Sequence, residues 1–303
     1  MGHCRSPGLP SRRTFVIEEF LSSWPLFQNT YLVGWSIALL LSLVGVLAVA
    51  RDQIFIGAAM SQASTLGITM AMWIGAWVAP ATLPWLHSDN FLSAMAVAFS
   101  LVAALITTRG GKESGESHET ITGWVFLVSA SLSILIVSRS PHGLEEIHRL
   151  LSSSIIGATR ADVRTFGLLA GLTALFLAVT HRRTLLFLMD PAMAAAVGMN
   201  VTRWAALIST LLGLAVGLSI RSSGMLYTFG CLVLPALIAK NLCREVRPMF
   251  IVAPLVALMT GAIAFVLANH YDYPPAPMTV ALLSLLLTIA WLFRRLRQVN
   301  GIF

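Results

Sequence analysis

The chain has 303 residues, of which 57% are hydrophobic and 11% charged, with a formal net charge of +7 and a mean hydropathy of +0.81. Soluble domains carry roughly 25% charged residues, so the composition excludes an ordinary water-soluble enzyme or binding module. A polytopic helical membrane protein remains, and its work is done in or across a membrane.

Residues 1–25 read as a polar N-terminal tail containing Arg5, Arg12 and Arg13. No apolar stretch precedes a small-residue cleavage site there, so no signal peptide is expected. Apolar runs follow at 30–50, 54–79, 91–108, 121–138, 165–180, 204–220, 224–239, 249–269 and 279–293. Each is long enough, or nearly so, to cross a bilayer core, which predicts an all-α transmembrane bundle of about eight or nine spans over 26–298. The gaps 109–120 and 139–164 are too short to fold around a core of their own. No phosphate-binding loop of the G-x-x-x-x-G-K-[ST] type occurs, and Gly110-Gly111-Lys112 reads as a solvated connector. Any ATP-derived energy must therefore come from a second chain.

Basic residues follow topology. Arg294, Arg295 and Arg297 close the last run; Lys240, Arg244, Arg247, Arg182, Arg183, Arg203, Arg109 and Lys112 lie in other gaps. The gaps 80–90 and 270–277 contain no Lys or Arg, only His87, Asp89, His270 and Asp272. By the positive-inside rule the C-terminus is cytoplasmic and these two gaps face outward, as a mouth that could attract a cation. Exposed loop histidines are more often simply solvated. Nine spans put the N-terminus outside, against the sense of Arg5, Arg12 and Arg13, so eight and nine both stay open. The placement also accounts for the net charge without nucleic acid. Cys4, Cys231 and Cys243 form no disulfide or zinc pattern.

The connectors differ in character. Gly110 to Thr120 reads as a flexible cytoplasmic loop. Gly143 to Ser152 places Leu144, Ile147, Leu150 and Leu151 on one face, as in a short amphipathic surface helix. The segment 189–200 is the sharpest. Asp190 suits an N-cap, Pro191 the first helical position, and Gly198 a C-cap, around a run containing Met193, Ala194 and Ala195. A plain connecting helix is one reading; a docking knob for a cytoplasmic partner is the other. Asp162 reads as a helix N-terminal residue, and Pro235 as a kink in its span.

At these residues the chain resembles the permease subunits of ABC-type importers of manganese, zinc or iron, the ABC-3 family. Asp190-Pro191 through Gly198 is similar to the family's coupling helix. Ser223-Gly224-Met225-Leu226 through Leu234-Pro235-Ala236, and Tyr271-Asp272-Tyr273-Pro274-Pro275-Ala276-Pro277, resemble its later signature stretches. Leu43-Val44-Gly45-Val46 followed by Arg51-Asp52-Gln53 to Gly67 resembles its early one.

The resemblance implies a type II importer-like, multi-pass permease of the inner or plasma membrane. It implies a second permease subunit, in a homo- or heterodimer, with a pair of cytoplasmic ABC ATPases and an extracytoplasmic metal-binding protein. No enzymatic activity is expected of this chain: it binds no cofactor, ATP belongs to the partner, and a divalent metal ion is the cargo. Coupling falls to Asp190, Pro191, Met193, Ala194, Ala195 and Gly198. The translocation path falls to Ala58, Ser61, Gln62 and Thr65.

One departure stands out. The family's GDALSHA pattern is Gly57-Ala58-Ala59-Met60-Ser61-Gln62-Ala63 here, with Ala58 and Gln62 in place of an Asp and a His. Only neutral ligands remain, whereas hard cations prefer carboxylate and Zn²⁺ prefers imidazole or thiolate. Three accounts stay open: a partner permease that keeps both ligands, a path that holds its ion weakly, or a different cargo such as a chelated metal. Neutral polar residues here also have an ordinary use, in hydrogen bonds between helices. Met60, Met70, Met72 and Met95 are better explained by packing than as soft ligands. A secondary transporter is the alternative, but it needs an intramembrane ionisable residue, and the runs 54–79, 204–220 and 249–269 contain none. A membrane-embedded enzyme would need a nucleophile or metal cluster that the sequence lacks.

Overall fold

The computed structural model describes residues 16–77, 83–113, 117–139 and 157–299. Among them the chain is helical without a strand: α1 (Val16–Ala50), α2 (Phe55–Trp77), α3 (Asp89–Glu113), α4 (His118–Val137), α5 (Arg160–Met189), α6 (Pro191–Ala196), α7 (Val201–Leu242), α8 (Val246–His270) and α9 (Pro275–Val299). A 3₁₀ turn, Pro84–His87, precedes α3. Two expectations need correction. α1 begins at Val16, inside the stretch read as a polar tail, and α3 and α4 reach to Glu113 and His118, so the loop expected over 110–120 is largely helix. The amphipathic segment expected at 143–152 lies outside the described residues.

Seven of the described helices are long and apolar enough to span a membrane. α2 has 23 residues and no charge, but Ser61, Gln62, Ser64, Thr65 and Thr69 dilute its hydropathy. α7, at 42 residues, is too long for one crossing at 1.5 Å per residue. Its backbone leaves the helical region at Gly224, with φ 77° and ψ 170°, which only glycine adopts without strain.

Contacts on either side of Gly224 show that the chain turns back there. Going out, Ser209 pairs with Thr108, Gly213 and Gly217 press on Ser100 and Val97, and Arg221 reaches Asp89 and Ser93, tracking α3 from its end to its start. Coming back, Tyr227 donates to the Gly34 carbonyl at 3.0 Å, Leu232 meets Gly45 and Gly57, and Lys240 pairs with Asp52. The reversal is therefore at Gly224, and Pro235 lies within the returning helical limb. With α2 and both limbs of α7 counted, all nine apolar runs have a helix.

α1 and α7 form the centre. In α1, Val33, Ile37, Leu40, Leu41, Val44 and Leu47 are fully buried against neighbouring helices, and within a bilayer it is this close packing, not removal from water, that holds the helices together. α8 packs along α1 through Tyr31, Trp35 and Phe265, with ring centroids 5.5 and 6.2 Å apart. α4, α5 and α9 expose apolar faces at the periphery, as lipid-facing or subunit-facing helices do.

Two turns end in the same way. After α1, Gln53 N–H donates to the Ala48 carbonyl at 3.0 Å across Asp52, whose φ is 54°; after α8, Tyr273 N–H donates to Ala268 at 3.0 Å across Asp272, φ 52°. Both are helix ends closed by a left-handed residue, a place where Asp is tolerated through its short polar side chain.

Both ends of α7, the start of α8 and the end of α9 lie at one end of the bundle, where Arg294 donates to Asn241 at 3.0 Å. Arg182, Arg183, Arg203, Lys240, Arg244, Arg247, Arg294 and Arg295 gather there. By charge asymmetry this end is cytoplasmic.

Candidate translocation path and coupling helix

The segment 189–200 folds as its residues dictate. Asp190 caps α6, its Oδ1 accepting from the N–H groups of Ala192 at 3.0 Å and Met193 at 2.9 Å. Pro191 occupies the first helical position, where its missing N–H costs nothing. At the other end Gly198, φ 85°, lets its own N–H reach Ala195 and that of Met199 reach Ala194, both at 3.0 Å. Asn200 then caps α7 by accepting from Arg203 N–H at 3.0 Å. Ala194 is buried, while Met189, Met193 and Val197 are 69%, 54% and 66% exposed. Met189 ends α5 and Val197 caps α6, so Met193 alone of the three lies on α6 itself, and together they leave apolar side chains exposed around the short helix on the cytoplasmic side.

On α2, Ala58 and Ser61 turn inward and are buried, whereas Gln62 and Thr65 are half-buried. Gln62 Nε2 donates to the thioether of Met225 at 3.2 Å, and Thr65 Oγ1 donates to the Ser61 carbonyl at 3.0 Å. The Ser61 hydroxyl is buried and has no hydrogen-bond partner. A buried hydroxyl without a partner is unfavourable by itself. The structure thus joins Gln62 to the first residues after the turn of α7, which sequence reasoning missed because Met225 lies far along the chain. Among the described residues no group of three or more His, Cys, Asp or Glu could hold a metal ion.

The residues expected at an outward mouth lie on different elements. His87 ends the 3₁₀ turn, and its backbone alone is described. Asp89 starts α3 and pairs with Arg221 at 2.9 Å, while Arg221 also donates to Ser93 at 2.7 Å. The gap 80–90 thus receives a positive charge from a distant part of the chain. His270 stacks edge-on against Tyr271 with ring centroids 4.8 Å apart, and Asp272 closes the turn after α8. At the cytoplasmic end, Arg51 stands over the ring of Phe187 at 4.8 Å, and burial holds its pKa below the usual value, though a guanidinium stays charged. Asp162 completes a reciprocal cap with Thr159, as its position suggested.

The pattern of the ABC 3 transport family matches residues 23–294. The chain belongs to that family. This ABC-3 chain is 21% identical over 287 residues to the chelated iron transport system membrane protein YfeD of Yersinia pestis, covering 95% of this chain and 91% of that one. It is 25% identical over 281 residues to the manganese import system permease protein ScaB of Streptococcus gordonii, covering 92% and 94%. Its fold matches a chain of the PsaBC complex of Streptococcus pneumoniae, solved with a Fab, at a TM-score of 0.77 and 18% identity, covering 94% and 99%. The ABC-3 assignment makes the chain a multi-pass membrane permease component of an ABC transporter.

Proposed function

We propose that this chain is the permease subunit of an ATP-driven importer of a divalent metal ion, manganese, zinc or iron. In this reading it pairs with a second permease subunit, docks a cytoplasmic ATPase pair through α6, and receives its cargo from an extracytoplasmic metal-binding protein. The observation that carries the reading is α6 itself. Six residues are capped at both ends, with Met193 exposed on the helix and Met189 and Val197 exposed at its two ends. A loop that merely joined two spans has no need of an exposed apolar face. The names of the relatives, which speak of iron and manganese transport, point the same way.

The cation path runs along α2 past Gln62 and Thr65 toward Met225. These ligands are neutral, so the ion is held weakly by this chain and passes on; charged groups on a partner subunit would supply tighter binding. ATP is hydrolysed on the ATPase pair, and the energy enters through α6.

Elemental mass spectrometry of cells lacking and re-expressing the chain, with Mn, Zn and Fe limited one at a time, tests the proposal. Loss of one metal, restored on re-expression, names the cargo. An unchanged content of all three sinks the importer reading. Copurification of an ATP-hydrolysing subunit, lost when Met193 and Val197 are both changed to Asp, tests the docking role of α6.

A further inference from the structure

The turn between α1 and α2 touches three parts of the cytoplasmic end at once. Arg51 is the first residue after α1, and its guanidinium lies 4.8 Å from the ring centroid of Phe187. Phe187 is 1% exposed and belongs to the last turn of α5, immediately ahead of the Asp190 cap that starts α6. Asp52, next along the turn, holds its left-handed conformation and pairs with Lys240 on the returning limb of α7. Three residues later, at Phe55, α2 begins, and its first three turns carry Ala58, Ser61, Gln62 and Thr65.

No carboxylate lies within ion-pair distance of Arg51 among the described residues. Its charge is held by a π face, an attraction that strengthens as water is excluded and that depends on the ring staying beneath the cation. Phe187 is packed in the core and shares a helix end with α6, so a displacement of α6 moves the ring. Arg51 cannot stay on the ring without moving the turn, and the turn is covalently the start of α2.

We propose that Arg51 is a positioning residue, seated on Phe187, that passes movement of the coupling helix to the path helix α2. The inference rests on the reading of α6 as the ATPase-docking element. Asp52–Lys240 holds the far side of the same turn, so the turn moves as a unit between α5 and α7. The bland account of the same contact is anchorage: a guanidinium at the membrane surface covering an apolar ring.

The two accounts separate in the complete transporter reconstituted in liposomes, with Mn²⁺, Zn²⁺ and Fe²⁺ uptake and phosphate release read on the same vesicles. Wild-type vesicles that take up none of the three ions remove the importer reading and this inference together. With an active wild type, Arg51→Gln and Phe187→Leu are expected to lower ions moved per ATP about fivefold to tenfold, a change in the range of mutations along a coupling contact. Phosphate release stays within about twofold, because the ATPases still dock on α6. Phe187→Trp, which keeps a π face, restores the ratio, and the double variant Arg51→Gln/Phe187→Leu is no worse than either single change. An unchanged ratio overturns the proposal. So does a proportional fall of uptake and phosphate release, or a Phe187→Trp variant as uncoupled as Phe187→Leu.

Discussion

Among the described residues each end of the bundle has one ion pair to α7, and the pairs look alike. At the outer end Arg221 meets Asp89; at the cytoplasmic end Lys240 meets Asp52. Both carboxylates are mostly exposed, at 82% and 78%, so neither pair contributes more than about 1 kcal/mol. The difference lies in what stands behind them. Behind Lys240–Asp52 are a closed helix end, the Arg51–Phe187 contact and the Arg294–Asn241 hydrogen bond. Behind Arg221–Asp89 is the Ser93 hydroxyl, with the chain reversing at Gly224. At the cytoplasmic end, then, the ion pair belongs to a turn that also touches α5. The outer end has a closed helix end of its own at Asp272, but its ion pair ties α7 only to the start of α3.

The largest effect is expected where the returning limb of α7 meets α1. A Cβ at Gly45 would collide with the Leu232 backbone carbonyl, which has no freedom to rotate away. Gly45→Ala should therefore destabilise the chain by about 3 kcal/mol or more, seen as a lower midpoint of thermal unfolding in detergent or as loss of the folded protein. A normal melting curve would show that the limb can retreat and that the cytoplasmic end is looser than described. Next comes Asp190→Ala, which removes the acceptor of two N–H groups and should weaken α6 by about 1–2 kcal/mol. Binding of the ATPase pair to the permease should weaken, while Asp190→Asn, which keeps the acceptor, should bind nearly as the wild type does.

Much of this architecture was legible in the residues. α6 is set by local signals, Asp190 and Pro191 at its start and Gly198 at its end, and needs no distant partner to be read. The nine apolar runs each mark a helix because apolar length decides membrane crossing. What could not be read is long-range. Arg221 stands between two runs and looks like a loop charge; only folding reveals that it closes on Asp89, more than a hundred residues earlier, and offsets one of the two negative charges assigned to the outer mouth. Pro235 is visible in the sequence as a place where a helix can bend, but the reversal of the chain falls on Gly224, where a left-handed backbone is required. The neutral character of Ala58 and Gln62 was plain from the sequence, whereas the link from Gln62 to Met225 depends on the reversal of α7.

Smaller effects refine the comparison. Gly198→Ala meets open space yet must hold φ at 85°, so it should cost about 1 kcal/mol through the backbone alone. At the outer end, a cycle of Asp89→Asn and Arg221→Gln should give a coupling below about 1 kcal/mol that shrinks with added salt. A larger, salt-resistant coupling would mean that the outer clasp is backed by the bundle in the way the cytoplasmic one is.

The smallest effect concerns Cys243, in the connector after α7 at the cytoplasmic end. Burial pushes its thiol above the usual cysteine value. The reactive species is the thiolate, and a raised pKa leaves less of it at neutral pH. Alkylation should accordingly be slower than for a free cysteine at pH 7 and should rise with pH through a midpoint above that of a free cysteine. Cys231 is fully buried, and Cys4→Ser removes the other competing thiol. If the coupling movement pulls the cytoplasmic connectors apart, adding ATP to the assembled transporter should expose Cys243, lower its midpoint and speed its alkylation. The same rate with and without ATP would place the movement elsewhere, in the α1–α2 turn and α6, with the α7–α8 connector standing still between them.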